Sequence, residues 1–232
     1  MTGQLYGIGV GPGDPELLTL KALRLLRAAP VIAYPAPETG ASFARGIVAQ
    51  WLDAGTREIA IRFPMRPGPP PAAIYDEAAA RLAALLDDSE DVAFLCQGDP
   101  LFYGSFAGIY LRLTPRYKVT IVPGVSSLTA CAAAAGLPLA QRDATLSVIP
   151  ATLSEGELTR RLAASEMAAV IKIGRHFAKL RRVLDELGLR DKAVYVERAT
   201  LPNQRIAPLA EIDPANVPYF AMALVCRGEA GR

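Results

Sequence analysis

Five short strand-like runs, each closed by glycine or proline and each followed by a helical spacing of apolar residues, dominate the first half of this chain. They are Leu5–Val10, Val31–Tyr34, Glu58–Phe63, Val92–Leu95 and Val119–Val122. Runs of this length between turn signals read as buried strands. Strands that alternate with helices imply a parallel sheet joined by right-handed crossovers. The first intervening segment places Asp14 as an N-cap and Pro15 at the first helical position. Leu17, Leu18, Leu20, Leu23, Leu25 and Leu26 then recur up to Pro30, which predicts one continuous helix. Further helices are expected over Ser42–Leu52, Ala72–Leu86, Ser105–Leu113 and Leu128–Ala135.

The second half has a different grain. Leu146–Ile149, Met167–Ile173 and Ala193–Glu197 read as strands, and Arg205–Leu209 with Tyr219–Val225 as a later pair. Ser154-x-x-Glu157 is a capping-box signature for a helix to about Ala164, and a basic helix follows over Arg175–Leu187. The expected fold is therefore α/β: a parallel-sheet domain over residues 1–123 and a mixed-sheet α+β domain over 124–232. The boundary is expected between Pro123 and Arg142, where Gly136-Leu137-Pro138-Leu139 breaks the helical pattern. Pro64–Pro71, with Arg62 and Arg66 close by, reads as a proline-rich loop, either a plain connection or a lid.

A chain of 232 residues with 51% hydrophobic content can bury a sizeable core and is not a disordered protein. Its net charge of +2 leaves no basic footprint for nucleic acid. Cys96, Cys131 and Cys226 lie far apart, without paired metal-ligand spacing, and read as buried thiols in a reducing compartment. No apolar run approaches the roughly 20 residues of a membrane helix, and the first residues lack a leader-peptide pattern. A cytoplasmic protein without metal is the expectation.

Three of the strand ends carry unusual loops: Gly9-Val10-Gly11-Pro12-Gly13-Asp14, Gly98-Asp99-Pro100-Leu101-Phe102-Tyr103-Gly104, and Val122-Pro123-Gly124-Val125-Ser126-Ser127. In open α/β sheets, ligands sit at the carboxyl ends of strands. The dinucleotide fingerprint fails, because Pro12 stands in the third glycine slot and the second strand ends in Tyr34-Pro35 without a carboxylate. The phosphate loop fails as well, since no Gly-Lys-Ser/Thr is present. Glycine and proline let main chain come close to a ligand, so a phosphate-free molecule with a ribose and a flat purine suits these loops better. No hydrolytic constellation emerges. The single histidine, His176, opens a basic helix and reads as a surface or capping residue. Arginines such as Arg112, Arg142 and Arg175 are solvated surface or partners for a polycarboxylate.

In order along the chain, these three loops, with Val170-Ile171-Lys172-Ile173-Gly174 and Val194-Tyr195-Val196-Glu197-Arg198-Ala199-Thr200, resemble the tetrapyrrole (corrin/porphyrin) methylases. Within that family the likeness is greatest to the members that act at C20 of precorrin-2. It departs at Gln97, where relatives often carry an acid, and at Ala199, where they often carry glycine. The resemblance implies S-adenosylmethionine as methyl donor, bound in a cleft between two domains of a homodimer. It implies cofactor contacts at Pro12, Gly98, Asp99, Phe102, Tyr103, Ser126, Ser127, Ile173, Gly174 and Ala199. The implied reaction gives precorrin-3A and S-adenosylhomocysteine, with cobalt-factor II or another corrin-ring position as the alternative. No catalytic residue is assigned; Tyr103, Asp14 and Glu197 stand as candidate bases beside water or the macrocycle itself.

Overall fold

A computed structural model describes residues 2–64 and 71–227. The chain falls into two compact units that divide between Ser126 and Ser127. Residues 65–70, and Arg66 with them, lie outside the described residues, so the proline-rich loop expected there is not described.

The first unit holds β1 (Leu5–Gly9), α1 (Leu20–Ala28), β2 (Val31–Pro37), α2 (Phe43–Val48), β3 (Arg57–Phe63), α3 (Ala72–Asp87), β4 (Val92–Cys96), α4 (Phe106–Leu113) and β5 (Val119–Val122). All five strands are parallel, in the order β3-β2-β4-β1-β5. Every residue of β4 is buried, as expected of a strand covered on both faces. Val92, Phe94 and Cys96 face α3 and α4, whereas Ala93 and Leu95 face α1 and α2. Phe94 meets Phe106 at 5.2 Å between ring centroids, and each such buried side chain contributes about 2–3 kcal/mol.

One helix differs from its sequence reading. Asp14 caps only a 3₁₀ turn, Pro15–Leu17, after which Leu18 and Thr19 are extended. The Thr19 hydroxyl then accepts from the Ala22 amide at 3.1 Å and starts α1. Leu17, Leu18 and Leu20 therefore stand outside the helical stripe, and Leu20 is 87% exposed. Apolar spacing concealed a second cap. The expected Ser42–Leu52 helix similarly ends at Val48 and finishes as a 3₁₀ turn, Ala49–Trp51.

The second unit holds α5 (Ser127–Ala135), β6 (Leu146–Pro150), α6 (Glu155–Ala163), β7 (Met167–Ile171), α7 (Phe177–Glu186), β8 (Ala193–Glu197), β9 (Arg205–Pro208) and β10 (Ala221–Cys226). Its mixed sheet runs β6-β7-β10-β8-β9. The expected pairing of the last two strands is corrected here: both lie antiparallel to β8, one on each side. The return from β9 holds only two 3₁₀ turns, Leu209–Glu211 and Pro214–Asn216, before β10 runs between β7 and β8. The α6 and α7 helices bury Leu158, Leu162, Leu180, Val183 and Leu184 against Ile149, Val170, Tyr195 and Val225. Half of the capping box forms: Ser154 Oγ accepts from the Glu157 amide at 3.3 Å. The Glu157 carboxylate instead takes Arg160 and Arg161, which hold it down to about 2. Among the described residues no helix is long and apolar enough to cross a membrane.

Candidate functional site

β4, β1 and β5 are neighbours in the first sheet, so their three loops leave its carboxyl edge side by side. The first two are stitched together beyond the strands. The Val10 amide donates to Cys96 O at 2.9 Å, and the Gly98 amide to Gly11 O at 2.8 Å. Gly11 and Gly98 both adopt left-handed backbone, with φ of 82° and 67°, where a side chain is strained. The third loop closes on the others by contact. A Cβ on Gly9 would lie 2.5 Å from Gly124 N, and one on Gly124 would collide with Gly98 O. Gly7 serves a different purpose: its missing Cβ makes room for the Phe106 ring.

Asp99 ties this assembly with its carboxylate. Oδ1 accepts from the Leu101 amide at 2.9 Å, and Oδ2 from the Gly124 amide at 3.1 Å. Backbone donors of this kind to an ionised acceptor are strong hydrogen bonds. Pro12 is buried beside Gly11, Phe102 is half-buried, and Tyr103 is 50% exposed, edge-on to Phe102 at 5.0 Å. Ser126 is half-buried and Ser127 exposed at the start of α5.

The expected residues of the second unit gather at one edge of its sheet. β10 lies between β7 and β8 and runs against both, so its start meets their ends. Ile173 is fully buried, and its carbonyl accepts from the His176 amide at 2.6 Å, closing the 3₁₀ turn Gly174–His176. Ala199 is buried in a turn whose Arg198 amide donates to Phe220 O at 2.9 Å. Gln204 Oε1 accepts from the Thr200 amide at 2.7 Å. Lys172, Arg198 and Thr200 have φ of 57°, 49° and 72°, and Tyr103 in the first unit has 54°. Among the described residues only Ser89 and Arg142 are further non-glycine cases. Backbone strain of this kind clusters at functional sites, and four of these six flank expected site residues.

The two buried thiols are not nucleophiles. Burial pushes the Cys96 thiol well up and Cys131 up to about 12, so neither is a thiolate at neutral pH. Burial first, then Lys179 and Arg175, pushes His176 down. Its Nε2 accepts from Arg175 Nε at 3.3 Å, which requires a neutral imidazole. Asp14 accepts from the Glu16 amide at 2.8 Å as a cap. Glu197 is buried with both oxygens engaged, by the Tyr195 hydroxyl and by Arg198 Nη1. Neither carboxylate is placed as a base. The chemistry of the first-unit loops is main-chain amide and carbonyl with two carboxylates, Asp14 and Asp99, which matches an amine, a ribose and a purine rather than phosphates.

The family model of the tetrapyrrole (corrin/porphyrin) methylases matches residues 4–213. The chain belongs to the tetrapyrrole methylases. It is 44% identical over 235 residues to the cobalamin biosynthesis protein CobIJ of Mycobacterium tuberculosis, covering 97% of this chain but only 46% of that one. The chain thus spans about half the length of CobIJ. It is 42% identical to the precorrin-2 C(20)-methyltransferase of a Sinorhizobium species, over 96% of this chain and 95% of that protein. In structure it resembles the uroporphyrin-III C-methyl transferase of Thermus thermophilus complexed with S-adenosylhomocysteine. The TM-score is 0.71 at 28% identity, over 97% of this chain and 98% of that one. A tetrapyrrole methylase is therefore the frame in which the loops are read.

Sequence motifs marked the site loops but not everything that builds them. Gly9, Gly11 and Gly124 were visible as glycines in the three loops, and their role as a mutual stitch follows only from the sheet order. Lys172, Arg198 and Thr200 carried no signal, because nothing in their residue types announces left-handed backbone.

Proposed function

We propose that this chain transfers the methyl group of S-adenosylmethionine to C20 of precorrin-2, giving precorrin-3A and S-adenosylhomocysteine in corrin-ring assembly. The observation that carries this reading is the 42% identity, end to end, with a precorrin-2 C(20)-methyltransferase. S-adenosylmethionine supplies an electrophilic methyl on sulfonium sulfur, and C20 of the reduced macrocycle is enamine-like and already nucleophilic. The C–S bond breaks as the C–C bond forms, and the C20 proton then leaves to solvent or to the macrocycle.

The protein's task is to hold carbon, methyl and sulfur in line, which supplies roughly 7–11 kcal/mol of the barrier. Pro12, Gly98, Asp99, Phe102, Tyr103, Ser126 and Ser127 are proposed to contact the cofactor through main chain, carboxylate, hydroxyl and ring faces. Ile173, Gly174 and Ala199 are proposed to do so from the strand-end turns of the second unit. Arg175, whose side chain bonds a neutral histidine rather than a carboxylate and which directly follows Gly174, is proposed to meet a substrate carboxylate. The protein is further proposed to work as a cytoplasmic homodimer without a metal cofactor, in keeping with the family resemblance.

The test is anaerobic incubation with methyl-labelled S-adenosylmethionine and enzymatically made precorrin-2, read by mass spectrometry and carbon NMR. One added methyl, at C20, is expected. A methyl at another position, or none while S-adenosylhomocysteine still binds, overturns the C20 assignment. Light scattering during size-exclusion chromatography checks the dimer.

A further inference from the structure

Glu197 is the one acidic or basic side chain buried among the described residues, at 6% exposure. A buried carboxylate is costly unless its oxygens are satisfied, and here both are. The Tyr195 hydroxyl donates to Oε2, and Arg198 Nη1 donates to Oε1 at 2.7 Å. Tyr195 is itself fully buried and packs edge-on against Phe177, with ring centroids 5.9 Å apart at 85°. Phe177 is the first residue of α7 and directly follows the Gly174–His176 turn. A continuous path therefore runs from the Gly174 turn through Phe177, Tyr195 and Glu197 to Arg198. At its far end Ala199 stands between two left-handed residues, Arg198 and Thr200. Such backbone persists only where its surroundings over-determine it. The Arg198 side chain is pinned by Glu197 and its amide by Phe220 O.

We propose that Glu197 is a positioning residue: with Tyr195 and Arg198 it fixes the Arg198–Thr200 turn in the shape that Ala199 presents to the cofactor. This rests on the cofactor reading above. It also changes the part played by a carboxylate that the sequence offered as a base. A base needs a free oxygen within reach of the leaving proton, whereas both Glu197 oxygens are spent on holding the turn.

The test measures S-adenosylhomocysteine affinity by titration calorimetry, the ligand-free thermal midpoint, and KM for S-adenosylmethionine against kcat. Glu197→Gln and Arg198→Gln are expected to weaken S-adenosylhomocysteine binding about tenfold, the order of one lost charge-assisted hydrogen bond. KM for S-adenosylmethionine should rise in parallel, with kcat at saturation reduced less than about threefold. Arg198→Lys restores the pair and should recover affinity to within about threefold of the unmodified protein. Tyr195→Phe keeps the ion pair and removes only the donor to Oε2, while the Arg198 side chain, 36% exposed, supplies variants that keep the test open where a change at the buried Glu197 or Tyr195 does not fold. The Tyr195 change is expected to weaken binding by about two- to fourfold. Unchanged affinity in folded variants overturns the proposal, as does a loss of kcat of about 100-fold or more with affinity intact, the signature of a base. Failure of the unmodified protein to bind S-adenosylhomocysteine overturns the cofactor reading and this assignment together, and so is distinct from failure of the assignment alone.

Discussion

The two units build the turns proposed to face the cofactor by different means. In the first, three loops close on one another through backbone: Gly9, Gly98 and Gly124 touch where no side chain fits, and Asp99 ties the amides. In the second, the turns after β7 and β8 force Lys172, Arg198 and Thr200 into left-handed backbone and hold the latter turn with a buried carboxylate. Removing side chains gives close approach with little strain. Keeping them gives strain that a network of side chains must offset.

Alanine at matched glycines breaks this comparison most directly. Gly124→Ala drives a methyl into Gly98 O, a backbone atom with nowhere to go. It is expected to destabilise the protein by about 3 kcal/mol and to abolish measurable S-adenosylhomocysteine binding. Gly174→Ala meets Pro218 O only at 3.5 Å, an ordinary contact, and should cost less than about 1 kcal/mol. Paired thermal unfolding and calorimetric titration check both, and equal effects would erase the distinction.

Asp99→Ala comes next. It leaves the Leu101 and Gly124 amides without their acceptor, worth about 1.5–3 kcal/mol for a charged partner. A 10- to 100-fold loss of cofactor affinity and turnover is expected in titration and steady-state assays. Unchanged affinity and turnover would remove the Asp99 loop from the site.

Thr200→Gly probes the strained side of the comparison. A β-branched residue at φ 72° stores about 1–3 kcal/mol, part of which glycine returns as unfolded-state entropy. A net gain of about 1 kcal/mol in denaturant unfolding is expected, with a smaller change in affinity than Asp99→Ala gives.

The smallest effect concerns His176. Its folded value lies below the ordinary 6.5, chiefly through burial and then Lys179 and Arg175. The neutral ring's contribution is intact above 6.5 and is lost as pH falls from there through the lower folded value. His176→Gln should flatten that part of the stability profile in thermal melts taken between pH 7 and pH 5.

The same contrast governs what the amino acids reveal. The parallel sheet was legible because its strands are short runs between turn signals and each crossover a helical stripe, and β4 reads as a strand from Val92–Leu95 alone. The loops of the first unit were legible because close backbone approach is written as glycine. The α1 start was not: Leu17, Leu18 and Leu20 continue the helical spacing, and only the extended Leu18-Thr19 and the Thr19 cap break it. The β10 position was not, since local periodicity carries no information about which strand it joins. Least legible were the turns at Lys172 and at Arg198 to Thr200; the second of these is held by Phe220, Gln204 and Glu197, which its own residue types do not announce.

The most direct measurement is a crystal structure of the protein with S-adenosylhomocysteine. The account predicts the ligand hydrogen-bonded to main chain of the Gly98-Asp99 loop and in contact with Gly174 and Ala199. A ligand bound away from all of these residues would contradict it.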